Sequence, residues 1–255
     1  MGRPAVAAEV ILDAMRQAEQ EMLEEGIVAV GDICNTPHTI ELKKQGRLLY
    51  HNFIELAGFP PGLADQRFEK GLELLAAFRT GLPEAGGRHS LAPHAPYSVS
   101  TELLQRILSL PGNNLLSQHS QESAEEEEFL TTGTGDLRRL YDRIGVDLSF
   151  FKPGGNSIAR TLPYLEAGQR LLLVHNVMTS AADLELIRQF SGADLFFCLC
   201  PNANLYINGL LPDLALLADS GFPLVFGTDS LASNQRLSIL CEINSLRQRF
   251  QLTDA

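Results

Sequence analysis

The sequence predicts an α/β fold in which parallel strands form a (β/α)8 barrel of the TIM type. Seven short, uniformly apolar runs alternate with amphipathic helical patterns, which indicates a parallel sheet covered by helices. The length of 255 residues suits one barrel domain. Polar residues follow the apolar runs, and barrel enzymes build their sites at the carboxyl ends of strands. A doubly wound sheet is less favoured, because residues 26–32 lack a Gly-rich phosphate loop.

An amphipathic helix is predicted first, over residues 7–25, and Gly26 ends it. The seven predicted strands follow at 27–30, 48–56, 89–92, 115–118, 171–174, 194–199 and 224–226. Helices are predicted between and after them at 36–45, 60–78, 101–110, 123–129, 137–144, 159–167, 181–190, 211–220 and 236–250. Ser100 is a predicted N-cap. The glutamate-rich run 125–128 is predicted to be a solvent-exposed helix face, and 145–156 a loop with exposed aromatic side chains.

Charge and composition exclude several classes of protein. Asp and Glu outnumber Lys and Arg by 31 to 20, and the net charge is −11. This balance argues against nucleic acid or an anionic membrane as a partner, because both attract clustered positive charge. Four scattered cysteines do not make a disulfide framework. No apolar run reaches the roughly 20 residues of a membrane helix, and no secretory signal pattern is found. We therefore expect a cytoplasmic protein.

Several residues that can bind a metal ion follow the predicted strands. Four of them stand at or just past a strand end: His94, His119, His175 and Asp229. Because the strand ends of a barrel surround one axis, these side chains can meet. Imidazole and carboxylate groups suit zinc, which lowers the pKa of a bound water to about 7. Glu122, three residues after His119, could move the proton of that water to a leaving group, and His94 could hold or polarise the substrate.

Each of these residues also has a structural explanation. A single histidine at a strand end is more often a hydrogen-bonding structural residue than a ligand. Asp229 could cap the following helix, and Glu122 could be a surface charge. The joint placement at four strand ends favours a metal-dependent hydrolase over these separate explanations.

Five motifs carry a resemblance to a known family. They are Leu-Ala-Pro-His-Ala-Pro-Tyr-Ser at 91–98, His-Ser-Gln-Glu at 119–122, Val-His-Asn at 174–176, Cys-Pro-Asn-Ala-Asn at 200–204 and Gly-Thr-Asp-Ser at 227–230. In this order they resemble the amidohydrolase superfamily. The resemblance is closest to the branch that holds S-adenosylhomocysteine and methylthioadenosine deaminases, guanine deaminase, aminodeoxyfutalosine deaminase and triazine chlorohydrolases. It covers residues 26–250.

The resemblance implies a zinc enzyme, with iron or manganese as alternative metals, that deaminates an aminated heterocycle by means of a metal-bound hydroxide. A purine nucleoside or base is the implied small-molecule substrate, and a homodimer is the implied assembly. Three residues are assigned to the metal: His119, His175 and Asp229. Asp229 would also accept a proton, and His175 would alternatively hydrogen-bond the attacking water. Glu122 would be the proton shuttle to the substrate's ring nitrogen, and His94 would contact the substrate.

The sequence departs from the family pattern at the first strand, where the family carries two metal ligands in His-x-His. Residues 1–255 contain no His-x-His, and the strand count is one short of eight. We therefore expect a single, partial metal-dependent hydrolase barrel over residues 1–255, without strand one and without the family's accessory β-sandwich. It would be a piece of a longer enzyme or a truncated product.

If His175 contacts the water, only His119 and Asp229 remain as ligands, and two ligands hold zinc weakly. This chain alone is therefore expected to bind zinc poorly and to have little activity. The alternatives are a triazine-type chlorohydrolase, another C–N hydrolase, or an inactive barrel that serves as a binding module. The loop at 145–156 and the residues around Glu55 are expected to influence substrate specificity.

Overall fold

Seven parallel strands alternate with helices in this computed structural model, which describes residues 8–82, 87–190 and 192–251. The strands are β1 Ala29–Cys34, β2 Leu49–Leu56, β3 Gly87–Pro93, β4 Leu115–Ser120, β5 Arg170–His175, β6 Asp194–Leu199 and β7 Leu224–Phe226. The helices are α1 Ala8–Glu24, α2 Ile40–Lys43, α3 Ala64–Gly81, α4 Thr101–Leu108, α5 Ala124–Thr132, α6 Gly135–Arg143, α7 Ser157–Thr161, α8 Ala181–Gln189, α9 Pro201–Ile207, α10 Leu214–Asp219 and α11 Ile239–Phe250.

The strands form two sheets in chain order, β1-β2-β3 and β4-β5-β6-β7. At the seam between β3 and β4, the side-chain amide of Asn113 accepts a hydrogen bond from the backbone N–H of Leu91 (2.8 Å) and donates one to its carbonyl oxygen (3.0 Å). Nearer the carboxyl ends, the backbone N–H of His119 donates to the carbonyl oxygen of His94 at 2.9 Å. The two sheets therefore continue into each other, and the described strands form an incomplete (β/α)8 barrel.

The apolar core lies between the sheets and the helices that cover them. Ile54, Leu91 and Phe197 on the strands are fully buried in it, together with Phe78 on α3 and Ile107 on α4. Burying a side chain of this size contributes roughly 1.5–3 kcal/mol relative to leaving it in water. Because the outward side chains of the strands form this core, polar residues on the inward face remain available for a site.

A buried lysine joins α2 to the first two strands. The side chain of Lys43 is 2% exposed and forms an ion pair with Asp32. Its ammonium group also donates to the amide oxygen of Asn52, contacts the Cys34 sulfur at 3.3 Å and lies 4.8 Å from the centre of the Tyr50 ring. Asp32 and Asn52 are opposite each other in the register of β1 and β2, so both can reach the same ammonium group.

The end of α1 contacts the segment that precedes α11. The carboxylate of Glu25 accepts hydrogen bonds from Arg236 and from the hydroxyl of Ser238. Glu21, on the last turn of α1, accepts one from the backbone N–H of Leu237. These bonds hold the amino-terminal helix beside the last β–α unit of the chain.

The structure confirms the predicted fold class, and each predicted strand overlaps an observed one. Ser100 caps α4 as predicted, because its hydroxyl accepts the backbone N–H of Leu103 at 3.1 Å. Four details differ. β1 extends to Cys34, beyond the predicted 27–30, and α9 was not predicted. The predicted helix 159–167 is instead α7 followed by a 3-10 turn. Residues 36–45 likewise contain a 3-10 turn before α2.

The predicted exposed face at 125–128 is wrong at Glu126. This side chain is 1% exposed, because it turns inward to accept backbone hydrogen bonds. The expectation of exposed aromatic side chains in the loop 145–156 is also wrong, since Phe150 and Phe151 are half-buried against other aromatic rings.

None of the helices within the described ranges combines the length and apolar character needed to cross a membrane.

Candidate active site

Three histidine rings lie side by side at the carboxyl ends of β3, β4 and β5. The ring centres of His94 and His119 are 5.0 Å apart, and those of His119 and His175 are 5.4 Å apart. The convergence arises because His119 and His175 are at the ends of paired strands, while His94 directly follows β3. The structure thus brings together three of the residues that the sequence predicted for the site.

The environment of His119 leaves one ring nitrogen free to bind a ligand. Its Nδ1 lies 3.0 Å from the carbonyl oxygen of His94, and a carbonyl can only accept a hydrogen bond. The proton is therefore on Nδ1, and Nε2 keeps its lone pair. This arrangement is typical of metal-binding histidines, whose second nitrogen donates to a carbonyl or carboxylate.

Two glutamates flank the histidine row. Oε1 of Glu122 lies 3.6 Å from Nε2 of His175, and Oε1 of Glu55 lies 3.7 Å from Nδ1 of His119. Burial raises the pKa of both carboxyl groups, and the negative charge of Asp229 reinforces this rise, while the neighbouring His119 opposes it. A raised pKa makes a carboxyl group easier to protonate, which it needs if it is to donate a proton.

Buried partners fix the ring of His175. Nδ1 of this ring is 3.1 Å from the amide nitrogen of Asn204, which is itself fully buried. The other ring nitrogen, Nε2, faces Oε1 of Glu122 at 3.6 Å. Burial lowers the pKa of His175 to about 4, assisted by repulsion from His119, so the imidazole is neutral near pH 7.

Asp229, which follows β7, is held by its own turn. Its Oδ2 accepts a hydrogen bond from the hydroxyl of Ser233 at 2.7 Å, and its Oδ1 accepts the backbone N–H of Ser230. Asn234 braces this turn, because its amide donates to the carbonyl oxygen of Thr228 and to the carboxylate of Glu242. The negative charge of Asp229 raises the pKa of Glu55 and of Glu122. Its carboxylate therefore interacts electrostatically with both glutamates of the site.

The backbone at the strand ends adopts an uncommon conformation. Positive φ angles occur at Gln121 (54°), His175 (81°), Asn176 (57°) and Asp229 (54°), four of the five non-glycine cases in the part of the chain that the structure describes. Such a residue costs roughly 1–3 kcal/mol and persists only where surrounding contacts hold it. This clustering supports the assignment of the strand ends as the functional site.

One group of donors meets the distances of a metal site. Single ligand atoms of Glu55, His94 and His119 all lie within 4.8 Å of one another. Imidazole and carboxylate donors fit zinc and similar divalent ions. This group shares only His119 with the predicted ligands His119, His175 and Asp229, and that predicted set stays a prediction.

Some residues of the site were not assigned from the sequence. Glu55 was expected only to influence specificity. It alternates with Ile54 and Leu56, which pack into the core under the helices, so strand alternation could have placed it on the opposite, inward face. Asn204 lies in the motif at 200–204 but was given no role, because its partner His175 is 29 residues away in the chain. Glu242 was not singled out, and its partners Asn202 and Asn234 are 40 and 8 residues away.

Aromatic side chains from three loops and from α6 pack beside the site. Phe59 stacks on Tyr141 with ring centres 5.1 Å apart and contacts Phe151 at 5.3 Å. Tyr97 lies edge-on to His94 at 5.8 Å, and the hydroxyl of Tyr141 donates to the carbonyl oxygen of Tyr97. Phe59 and Tyr141 thus connect the loop 145–156 to the segment that carries His94.

Comparison with known proteins agrees with this geometry. Residues 5–254 match the model of the amidohydrolase family. The chain is 29% identical over 245 residues to a Helicobacter pylori protein named adenosine deaminase, covering 91% of this chain and 56% of that protein. It is 29% identical over 236 residues to a Deinococcus radiodurans aminodeoxyfutalosine deaminase, with 88% and 55% covered.

A solved structure has the same fold. It is the crystal structure of Helicobacter pylori aminofutalosine deaminase in complex with methylthio-coformycin, with a TM-score of 0.82 and 27% identity. The match covers 92% of this chain and 57% of that one. The chain spans about half the length of the curated relatives it matches. The fold, the motifs and the family match over nearly all residues lead to one conclusion: the chain belongs to the amidohydrolase family.

Proposed function

We propose that the protein catalyses the hydrolytic deamination of an aminated heterocycle, a purine nucleoside or base. The observation that carries this proposal is the convergence of three histidines and two glutamates at the carboxyl ends of the strands. The relatives named adenosine deaminase and aminodeoxyfutalosine deaminase support the choice of substrate class. The coformycin-type ligand of the matching structure also supports it, since that ligand is nucleoside-like.

The donor set fits a divalent metal ion, with zinc as the proposed ion and iron or manganese as alternatives. Its proposed ligands are His119, His175 and Asp229. Glu55 and His94 lie within reach of His119 and offer two further donors. When bound, such an ion supplies a water molecule whose pKa is lowered toward neutrality.

The chain's own residues account for the proton transfers. Water adds to the ring carbon that carries the amino group, and Asp229 accepts the proton that this water loses. Glu122, whose pKa burial raises, donates a proton to the adjacent ring nitrogen. Asp229 then passes its proton to the amino group, and the hydroxyl proton of the adduct returns to Glu122 as the carbonyl forms. The carbon–nitrogen bond breaks and ammonia leaves. Nε2 of His175 lies 3.6 Å from Oε1 of Glu122, so the proposed metal ligand and the proposed proton donor face the same space. His94 contacts the substrate ring.

The function is tested by supplying adenosine and 5′-methylthioadenosine to the natural protein. We expect one molecule of ammonia to be released per molecule of product. The ultraviolet absorption of the nucleoside should change as it does when a ring amino group is replaced by oxygen. Chloride release from a chlorotriazine, without ammonia from either nucleoside, would favour the chlorohydrolase alternative. A metal-loaded protein that turns over none of these compounds would contradict the proposal and favour a binding module.

Zinc binding by the 255-residue chain alone is expected to be weak, and His119→Ala should reduce it further, by about tenfold or more. His119 is the donor common to both ligand groups, so its loss affects either arrangement. Zinc affinity is measured by competition with a chromophoric chelator. His38→Ala is the control, because His38 is exposed and outside the site. Equal zinc affinity in the unchanged chain and in His119→Ala would reject His119 as a ligand. The zinc affinities of Glu55→Gln and Asp229→Asn show which of the two carboxylates binds the ion.

A further inference from the structure

Glu126 is a buried carboxyl group that the proposed reaction does not use. It is the third residue of α5, where Glu125 and Glu128 are exposed but Glu126 is 1% exposed. Burying a carboxylate is unfavourable unless hydrogen bonds satisfy its oxygens. Burial raises the pKa of Glu126 to about 7, although its hydrogen bonds act in the opposite direction. The hydrogen-bond partners of the Glu126 carboxyl group therefore indicate why it is buried.

The partners of Glu126 are the backbone N–H groups next to the proposed proton donor. Oε1 accepts the N–H of Gln121 at 3.2 Å, and Oε2 accepts the N–H of Glu122 at 2.9 Å. Both N–H groups lie between β4 and α5, where neither a strand ladder nor a helix supplies an acceptor. Gln121 also has a φ of 54°, so the chain here needs external contacts to keep its shape.

Other side chains fix the remaining polar groups of this turn. The amide of Gln121 donates to Asp183 at 3.1 Å and accepts the hydroxyl of Thr179 at 2.7 Å. The carbonyl oxygen of Glu122 accepts the amide of Asn208 at 2.7 Å. The two N–H groups depend on Glu126 instead, and they set the direction in which the Glu122 side chain leaves the backbone.

Glu126 also connects this turn to the loop that carries the aromatic side chains. The hydroxyl of Ser157 donates to Oε1 of Glu126 and, at 2.8 Å, to Glu127. Ser157 is the first residue of α7, directly after the loop 145–156. The same carboxylate therefore contacts the backbone of Glu122 and the end of that loop.

We propose that Glu126 is a positioning residue, which aims the carboxyl group of Glu122 into the site by holding the N–H groups of Gln121 and Glu122. The proposal rests on the proposed function only for the role of Glu122 in proton transfer. The contacts themselves belong to the folded chain and can be tested without turnover.

The first test measures backbone amide hydrogen exchange by NMR in the 255-residue chain. In Glu126→Ala, the Gln121 and Glu122 amides should exchange about 10- to 100-fold faster, as expected when hydrogen bonds to a charged acceptor are lost. Glu126→Gln keeps one acceptor oxygen and should preserve protection at one of the two amides. Glu125→Gln, a matched change on the exposed face, should alter neither. Unchanged exchange at both amides in Glu126→Ala would overturn the proposal. If Glu126→Ala does not fold, Glu126→Gln decides instead, and exchange at both amides equal to that in Glu125→Gln would overturn the proposal.

The second test uses turnover of adenosine or 5′-methylthioadenosine by the natural protein. Glu126→Gln should lower kcat by about tenfold or more with KM changed less than about threefold, because proton transfer is affected more than substrate binding. Glu125→Gln should match the unchanged protein. A change in KM alone, with kcat unaltered, would overturn the positioning role. Absence of turnover in the unchanged protein would count against the proposed function, while the amide exchange result would still decide the role of Glu126.

Discussion

Glu122→Gln is expected to lower the deamination rate of the natural protein by about 10²- to 10⁴-fold, the usual contribution of a general acid–base group. Glutamine has nearly the same shape and keeps the backbone bonds that Glu122 makes with Glu126 and Asn208. It cannot donate a carboxyl proton to the substrate ring. Because Glu122 is not among the proposed metal ligands, the metal content should not change.

The measurement combines kcat for adenosine with metal analysis of the same samples. Glu125→Gln is the matched control, since it makes the same chemical change on the exposed face of α5. Turnover that survives in Glu122→Gln would show that another group donates the proton. A loss of metal together with activity would instead place Glu122 among the ligands.

Asp32→Ala is expected to reduce the free energy of unfolding by about 3 kcal/mol, the lower part of the range for breaking a buried ion pair. The substitution leaves the ammonium group of Lys43, whose side chain is 2% exposed, with Asn52 as its remaining oxygen partner. The carboxylate of Asp32 is 32% exposed, and water that can reach this side of the pair reduces the loss.

Urea unfolding of the 255-residue chain measures this effect, and the neighbouring Glu41–Lys44 pair supplies the control. These two side chains are 75% and 44% exposed, so Glu41→Ala should change the stability by less than about 1 kcal/mol. The double variant Asp32→Ala/Lys43→Met should recover much of the loss, because it removes the unpaired charge. Equal effects of Asp32→Ala and Glu41→Ala would show that the ion pair does not contribute as proposed.

Local sequence signals account for most of the fold. β6 and β7 have the predicted bounds, since Gly or Pro residues precede each apolar run. β1 was predicted too short because Gly31 and Asp32 have the composition of a turn. The buried ammonium of Lys43, eleven residues away, keeps Asp32 in the strand instead. A tertiary ion pair of this kind overrides local propensity and leaves no periodic pattern in the sequence.

The sequence predicts those residues of the site that lie at the ends of strands. His94, His119 and His175 could be located because each follows a recognisable apolar run, and the structure places their rings side by side. The burial of Glu126 differs from the prediction because a run of glutamates at the start of a helix is usually exposed to solvent. Its side chain turns inward to accept the N–H groups of Gln121, whose φ is positive, and of Glu122. Sequence spacing does not reveal that these two N–H groups need an acceptor.

The seam between the two sheets has a consequence for folding. Each sheet is built from consecutive strands, so either can form largely from contacts between neighbouring parts of the chain. Glu55 and His94 belong to the first sheet unit, whereas His119 and Asp229 belong to the second. The site therefore exists only after the two units dock through Asn113 and the His119–His94 backbone bond. A ligand held by residues of both units would lock that docking and make unfolding more cooperative.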